Sequence, residues 1–99
     1  MKFNKLFTKE LLASIPKLDE TKDMENPIAH IKLFYPDFSW TWYVVEFDGT
    51  DIAYGLVDGF EKELGMFSIK ELIKTKGKMG LEIERDLHWK PRHINELMK

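Results

Sequence analysis

The sequence predicts an α+β fold: a small, mostly antiparallel sheet of three to five strands with two to three short helices. Three features predict it. Residues 39–47, SWTWYVVEF, form an unbroken run of β-formers. Asp48-Gly49-Thr50-Asp51 then supplies a hairpin turn into a second run, IAYGLV at 52–57. Finally, Ser68 with Glu71 three positions on has the capping-box pattern and opens a stretch where Ile69, Leu72 and Ile73 recur at helical spacing.

The other elements follow in chain order. Phe7, Leu11, Leu12 and Ile15 share one face of a short helix, with Thr8 as cap and Pro16 as stop. Residues 17–27 are polar and close on Pro27, which makes them a loop. IAHIKLFY, 28–35, lies between two prolines and reads as the first strand. In the aromatic strand, alternation puts Trp40, Trp42, Val44 and Glu46 on one face and Thr41, Tyr43, Val45 and Phe47 on the other. Both faces are largely apolar, as in a central strand covered on both sides or a strand with one covered side and one exposed aromatic side. Gly55 in the next strand marks a bulge or a close backbone approach. A short extended piece at Gly65-Met66-Phe67 precedes the capped helix, which Gly77 would end. Leu81 to Trp89 alternates like an edge strand or an extended tail, and Ile94, Leu97 and Met98 form a last half-turn of helix.

Ninety-nine residues, 43% of them hydrophobic and 13% aromatic, make one globular domain over 1–99. With no cysteine it is held by packing alone, which fits a reducing cytosol. The N-terminal stretch is interrupted by Lys5, Lys9 and Glu10 and has no signal-peptide core, and no apolar run is long enough to cross a membrane. A cytoplasmic location is expected. A formal charge of -2 disfavours wholesale phosphate binding. The charge is nonetheless locally bipolar: Glu46 to Glu63 is acidic, while Lys70, Lys74, Lys76 and Lys78 follow with only Glu71 against them.

Two sets of residues are candidates for function. The first is an aromatic and acidic surface made by Trp40, Trp42, Tyr43, Glu46, Asp48, Asp51, Asp58, Glu61 and Glu63. Tryptophan and tyrosine dominate binding hot spots, and an acidic face engages a basic partner. Core packing competes for the tryptophans, and Tyr43 is the ring expected to keep an exposed edge. The second is Glu84, Arg85, Asp86 and His88, the densest ionisable cluster. Paired carboxylates with a histidine suit acid-base chemistry, but in an extended segment Glu84 and Asp86 point away from Arg85, which favours a structural ion pair, with Glu46 as a partner for Arg85. No nucleophile elbow, P-loop, dinucleotide fingerprint or zinc-protease motif is present. His88 with His93, and Asp48 with Asp51, match no metal-ligand spacing, so neither metal nor cofactor is expected.

FYPDFSWTWYVVEFDG, GLVDGFEKELGMFSIKELIKTKG and GLEIERDLHWKP together resemble the domain-of-unknown-function family 2958, small proteins of bacteria, phages and plasmids. The likeness runs from Leu6 to Leu97. It implies a mobile-element setting, often near genes for host defence or DNA transfer, and brings no established activity or catalytic residues. The expectation is a non-catalytic interaction protein that binds a protein partner concerned with defence or nucleic-acid processing. The alternatives are a nucleic-acid accessory protein using the sheet aromatics with Lys70–Lys78, and a small enzyme around Glu84, Asp86 and His88.

Overall fold

The computed structural model describes residues 2–99, and its centre is an antiparallel sheet. Helices α1 (Lys2–Leu6) and α2 (Lys9–Ser14) lead, followed by short strand β1 (Ile28–Ala29) and strands β2 (Ile31–Phe34), β3 (Thr41–Phe47), β4 (Ile52–Asp58) and β5 (Lys62–Ser68). Helix α3 (Ile69–Lys74), short strands β6 (Glu84–Arg85) and β7 (Arg92–His93), and helix α4 (Ile94–Met98) complete the chain. The main sheet runs β5-β4-β3-β2-β6, and β1 pairs with β7 in a separate ribbon. The α+β prediction and the β2-β3-β4 meander both hold. No helix among the described residues is long and apolar enough to cross a membrane.

Local chemistry explains most boundaries. Thr8 caps α2 by accepting from Leu11 N at 3.2 Å, and Pro16 follows the C-cap Ile15. Asp48 makes the β3–β4 turn: its Oδ1 accepts from the backbone amides of Thr50 and Asp51, both at 2.8 Å, and of Ile52 at 3.1 Å, while Gly49 takes φ +93°. Ser68 caps α3 by accepting from Glu71 N, and its hydroxyl donates to Asp51. Several boundaries differ from the sequence reading, among them the expected strand over 81–89, of which only Glu84–Arg85 is strand. The first strand is split at His30, so that Ile28–Ala29 pairs with β7 instead of β3. Strand β5 begins three residues earlier than Gly65. Helix α3 stops at Lys74 with the extended C-cap Thr75, before Gly77 is reached.

The two faces of the sheet pack differently. One lies under α1–α3, with Leu6, Phe7, Ile31, Leu33, Trp42, Val44, Phe47 and Ile69 in one buried cluster. The other carries a smaller cluster of Ala29, Val45, Leu56 and Ile94, flanked by Tyr43, Tyr54, Trp89 and Leu97. Strand β3 serves both because it bulges at Val45: Val44 faces Gly55, yet Glu46 faces Tyr54. The extra residue reverses the alternation downstream. Glu46 therefore shares a face with Tyr43, while Phe47 joins Trp42 and Val44, the opposite of the simple two-residue period. Gly55 is obligatory beside the bulge, since a Cβ there would stand 1.8 Å from Tyr43 O.

Candidate functional site

At one end of the helix-covered face the aromatic side chains continue out of the core. Tyr35 meets Trp42 edge-on at 5.6 Å between ring centroids, Trp42 touches Trp40 at 6.2 Å, and Trp40 stacks on Phe38 at 6.1 Å. Beyond Trp40, Phe60 stands edge-on at 5.2 Å and is 94% exposed. Trp42 is buried at 8% exposure and Trp40 half-buried, so one tryptophan builds core and the other builds surface. Trp40 lies flat over Gly59, where a Cβ would come within 2.7 Å of the indole, which is why a small residue must occupy that turn.

Tyr35, Phe38, Trp40 and Trp42 wall a cleft of about 420 Å³, closed on its far side by Leu72, Thr75, Lys76, Gly77 and Lys78. Asp37 fixes that wall. Its Oδ2 accepts from Met79 N at 2.6 Å and Leu81 N at 3.2 Å, and its Oδ1 fills the space a Cβ on Gly77 would need. Gly77 is thus a packing glycine, not a helix stop. Lys76 reaches Glu82 at 2.9 Å, and Tyr35 anchors the cleft floor by donating its hydroxyl to Leu72 O. Burial pushes the Tyr35 phenol above its ordinary value.

Trp40 and Phe60 also line a second hollow, of about 380 Å³, whose wall includes Val57, Glu61, Glu63 and Gly65. The bipolar charge seen along the chain therefore becomes spatial, with lysines on one side of the Trp40 ridge and glutamates on the other. Of the residues singled out from the sequence, Trp40, Glu61 and Glu63 line this hollow, and Trp42 lines the cleft on the other side of Trp40.

The others do neither. Tyr43 lies on the opposite face, 5.5 Å from Trp89, and burial together with Asp58 raises its phenol pKa. Glu46 is 3% exposed and cannot contribute to a surface. Its Oε1 accepts from Asp19 N and its Oε2 from Thr21 N, both at 2.9 Å, and from the Thr21 hydroxyl. Nor is it the partner of Arg85, whose guanidinium instead donates to Lys5 O at 3.4 Å. Asp48 shapes the hairpin turn, and Asp51 accepts from Ser68 Oγ and Lys70 N, so both serve local structure.

The ionisable cluster is also dispersed. Asp86 pairs with Lys32 at 3.6 Å and accepts from His88 N at 3.0 Å. The small hollow beside Glu84 and Arg85 is lined by Lys5, Leu6, Ile83 and Leu87, without Asp86 or His88. Among the described residues no group of three or more His, Asp or Glu could hold a metal ion. Sequence reasoning missed Phe60 and Phe38 as surface residues. The signal for Phe60 was its place directly after Asp58-Gly59, since a ring in a tight turn has no core to enter.

Fold and site together define a small α+β protein with an open sheet and an aromatic ridge that parts a lysine-lined cleft from a glutamate-lined hollow. The chain belongs to the family described as protein of unknown function (DUF2958), whose model matches residues 5–96. Among curated proteins and solved structures none matches.

Proposed function

We propose that the chain is a non-catalytic interaction module that seats a segment of a partner protein in the Trp40 cleft. The observation that carries this reading is the cleft itself, where aromatic walls stand between Lys76 and Lys78 on one side and Glu61 and Glu63 on the other. Such rings offer rigid apolar area at low entropic cost, and the flanking charges select orientation. The segment that fits carries an apolar side chain for the cleft, acidic residues toward Lys78 and basic residues toward Glu61. A mobile-element partner concerned with host defence or nucleic-acid processing is part of the same proposal, as is action inside the cell.

A second reading has one observation in its favour: the Phe38 and Trp40 rings lie beside lysines, as in single-strand binders. Against it, Lys70 and Lys74 line a different hollow with Phe3 and Ile73. Glutamates also flank the ridge.

The test is capture from host lysate, with and without nuclease, using wild type and a Phe38→Ala, Phe60→Ala variant that melts as wild type does. A nuclease-resistant protein bound about tenfold or more weaker by the variant, and also weakened by Lys78→Glu, is expected. Equal capture by the variant would remove the Phe38–Trp40–Phe60 ridge and the hollows beside it from binding, and nuclease-sensitive capture would favour the second reading.

A further inference from the structure

The main sheet ends in two unlike edges. At β6 the edge is two residues long and α1 lies against it, with the Arg85 guanidinium donating to Lys5 O. At β5 all seven residues, Lys62 to Ser68, pair with β4 on one side in unbroken register, and β5 is the outermost strand. A strand of seven residues presents about 24 Å of edge. Natural edges are blunted by short length, proline, bulges or outward charge. Strand β5 has no proline and no bulge against β4, and Leu64 to Ser68 carry no charge. Its lysine is turned away: Lys62 Nζ donates to Leu97 O and Lys99 O, both at 2.8 Å, at the end of α4.

We infer that β5 pairs with β5 of a second copy of this chain, antiparallel, about a two-fold axis through Gly65. The occupant follows from the strand's self-complementarity. In that register Gly65 faces the partner's Gly65, Leu64 faces the partner's Met66, and Met66 faces the partner's Leu64. Lys62 faces the partner's Ser68, and Glu63 faces the partner's Phe67. All seven residues overlap, and no like charges are opposed. Sliding two residues one way opposes Lys62 to the partner's Met66 and shortens the overlap. Sliding four residues opposes Glu63 to the partner's Glu63.

Leu64 and Met66 explain why the edge gains from closing. They are 47% and 58% exposed and continue the rows Tyr43–Leu56–Leu64 and Glu46–Tyr54–Met66 on the face opposite the helices. Pairing extends each row onto its mate in the second copy. On the helix-covered face, Gly65 has open space where a side chain would stand, so two strands can meet there without a clash. The two five-stranded sheets become one of ten. One strand pair with its flanking side chains is a small interface, which sets the dimer constant at about 1–100 µM.

The experiment is sedimentation velocity of the full chain from about 1 to 300 µM, a span chosen around that constant. Wild type is expected to pass from an 11.7 kDa monomer to a dimer as concentration rises, with β5 amide exchange slowing in parallel. Leu64→Lys with Met66→Lys opposes like charges twice in this register and should weaken dimerisation about tenfold or more. Leu64→Glu with Met66→Lys opposes unlike charges in the same places and should restore it, which separates loss of the interface from loss of folding. A wild type that stays monomeric throughout overturns the inference, leaving the edge to a different chain. So does a dimer indifferent to the two-lysine variant, and failure of the Glu/Lys pair to recover overturns the register.

Discussion

On one face of the sheet Leu33, Val44 and Phe47 lie beneath three helices in a continuous apolar cluster; on the other, Val45 and Leu56 share their cover with Tyr43, Tyr54 and the carboxylate of Glu46. The first cover is set by hydrophobic burial, which is non-directional and tolerates many arrangements of the helices. The second, loop 17–27 with α4, is set by directional bonds: Glu46 holds Asp19 and Thr21, and Asn26 holds both Asn95 N through its side chain and the His93 ring through its carbonyl. The difference teaches that this small protein separates stability from shape. Most of its burial energy is on the helix side, and the placement of the other cover depends on a few polar contacts that can release without global unfolding.

Truncation on the two sides is the strongest way to break this comparison. Leu33→Ala removes a fully buried side chain from the centre of the larger cluster and should cost about 4 kcal/mol in urea unfolding. Ile94→Ala should cost about 2 kcal/mol, because it lies in the smaller cluster on a helix of five residues that can settle into the space. Equal costs would mean that both faces form one cooperative core.

Removing the polar anchor sharpens it further. Glu46→Ala leaves two backbone amides and a buried hydroxyl without their acceptor, a loss of about 2–3 kcal/mol. The discriminating readout is local: amide exchange at Asp19 and Thr21 should accelerate well before that of β2 and β3. Glu46→Gln keeps one side-chain oxygen as acceptor and should cost about 1 kcal/mol. Uniform acceleration across the sheet would show that the loop and the core open together.

What the sequence made legible follows the same division. The hairpin at Asp48, the caps at Thr8 and Ser68 and the central position of β3 rest on local chemistry, and all are found as read. The reversal at Val45 was not legible in β3, because one inserted residue leaves no local composition signal; its trace lay across the sheet at Gly55. The length of β5 was hidden because an edge strand exposed on both sides carries little apolar alternation, and Lys62-Glu63 read as surface charge. Of the candidate site, Trp40 and Trp42 could be named but their partners could not. Glu61 and Glu63 reach the Trp40 ridge through the β4–β5 turn, and Lys78 reaches it through the Asp37 clamp forty-two residues away in sequence from Met79.

The smallest expected effect concerns the exposed carboxylate that ties α3 down, the counterpart of buried Glu46 on the loop side. Asp51 accepts from the Ser68 hydroxyl at 2.6 Å and from Lys70 N at 2.9 Å, and these bonds, the Ser68 one foremost, hold its carboxyl below the ordinary aspartate value. A carboxyl with a lower pKa folded than unfolded stabilises the fold fully above the unfolded value, and that contribution is lost as pH falls through the folded one. The melting temperature should therefore drop in acid below about pH 4, where an unfolded aspartate begins to protonate. Asp48 adds to the same slope, through its bonds from the amides of Asp51 and Thr50. Asp51→Asn abolishes one of the two titrations, so the variant should melt slightly below wild type at neutral pH and lose less on acidification. Because Asp51 titrates at the surface, water screens much of the difference. Parallel melting curves for variant and wild type from neutral to acid would show that Asp51 merely accompanies the helix start, and that α3 is held by Ile69 and Leu72 in the apolar cluster alone.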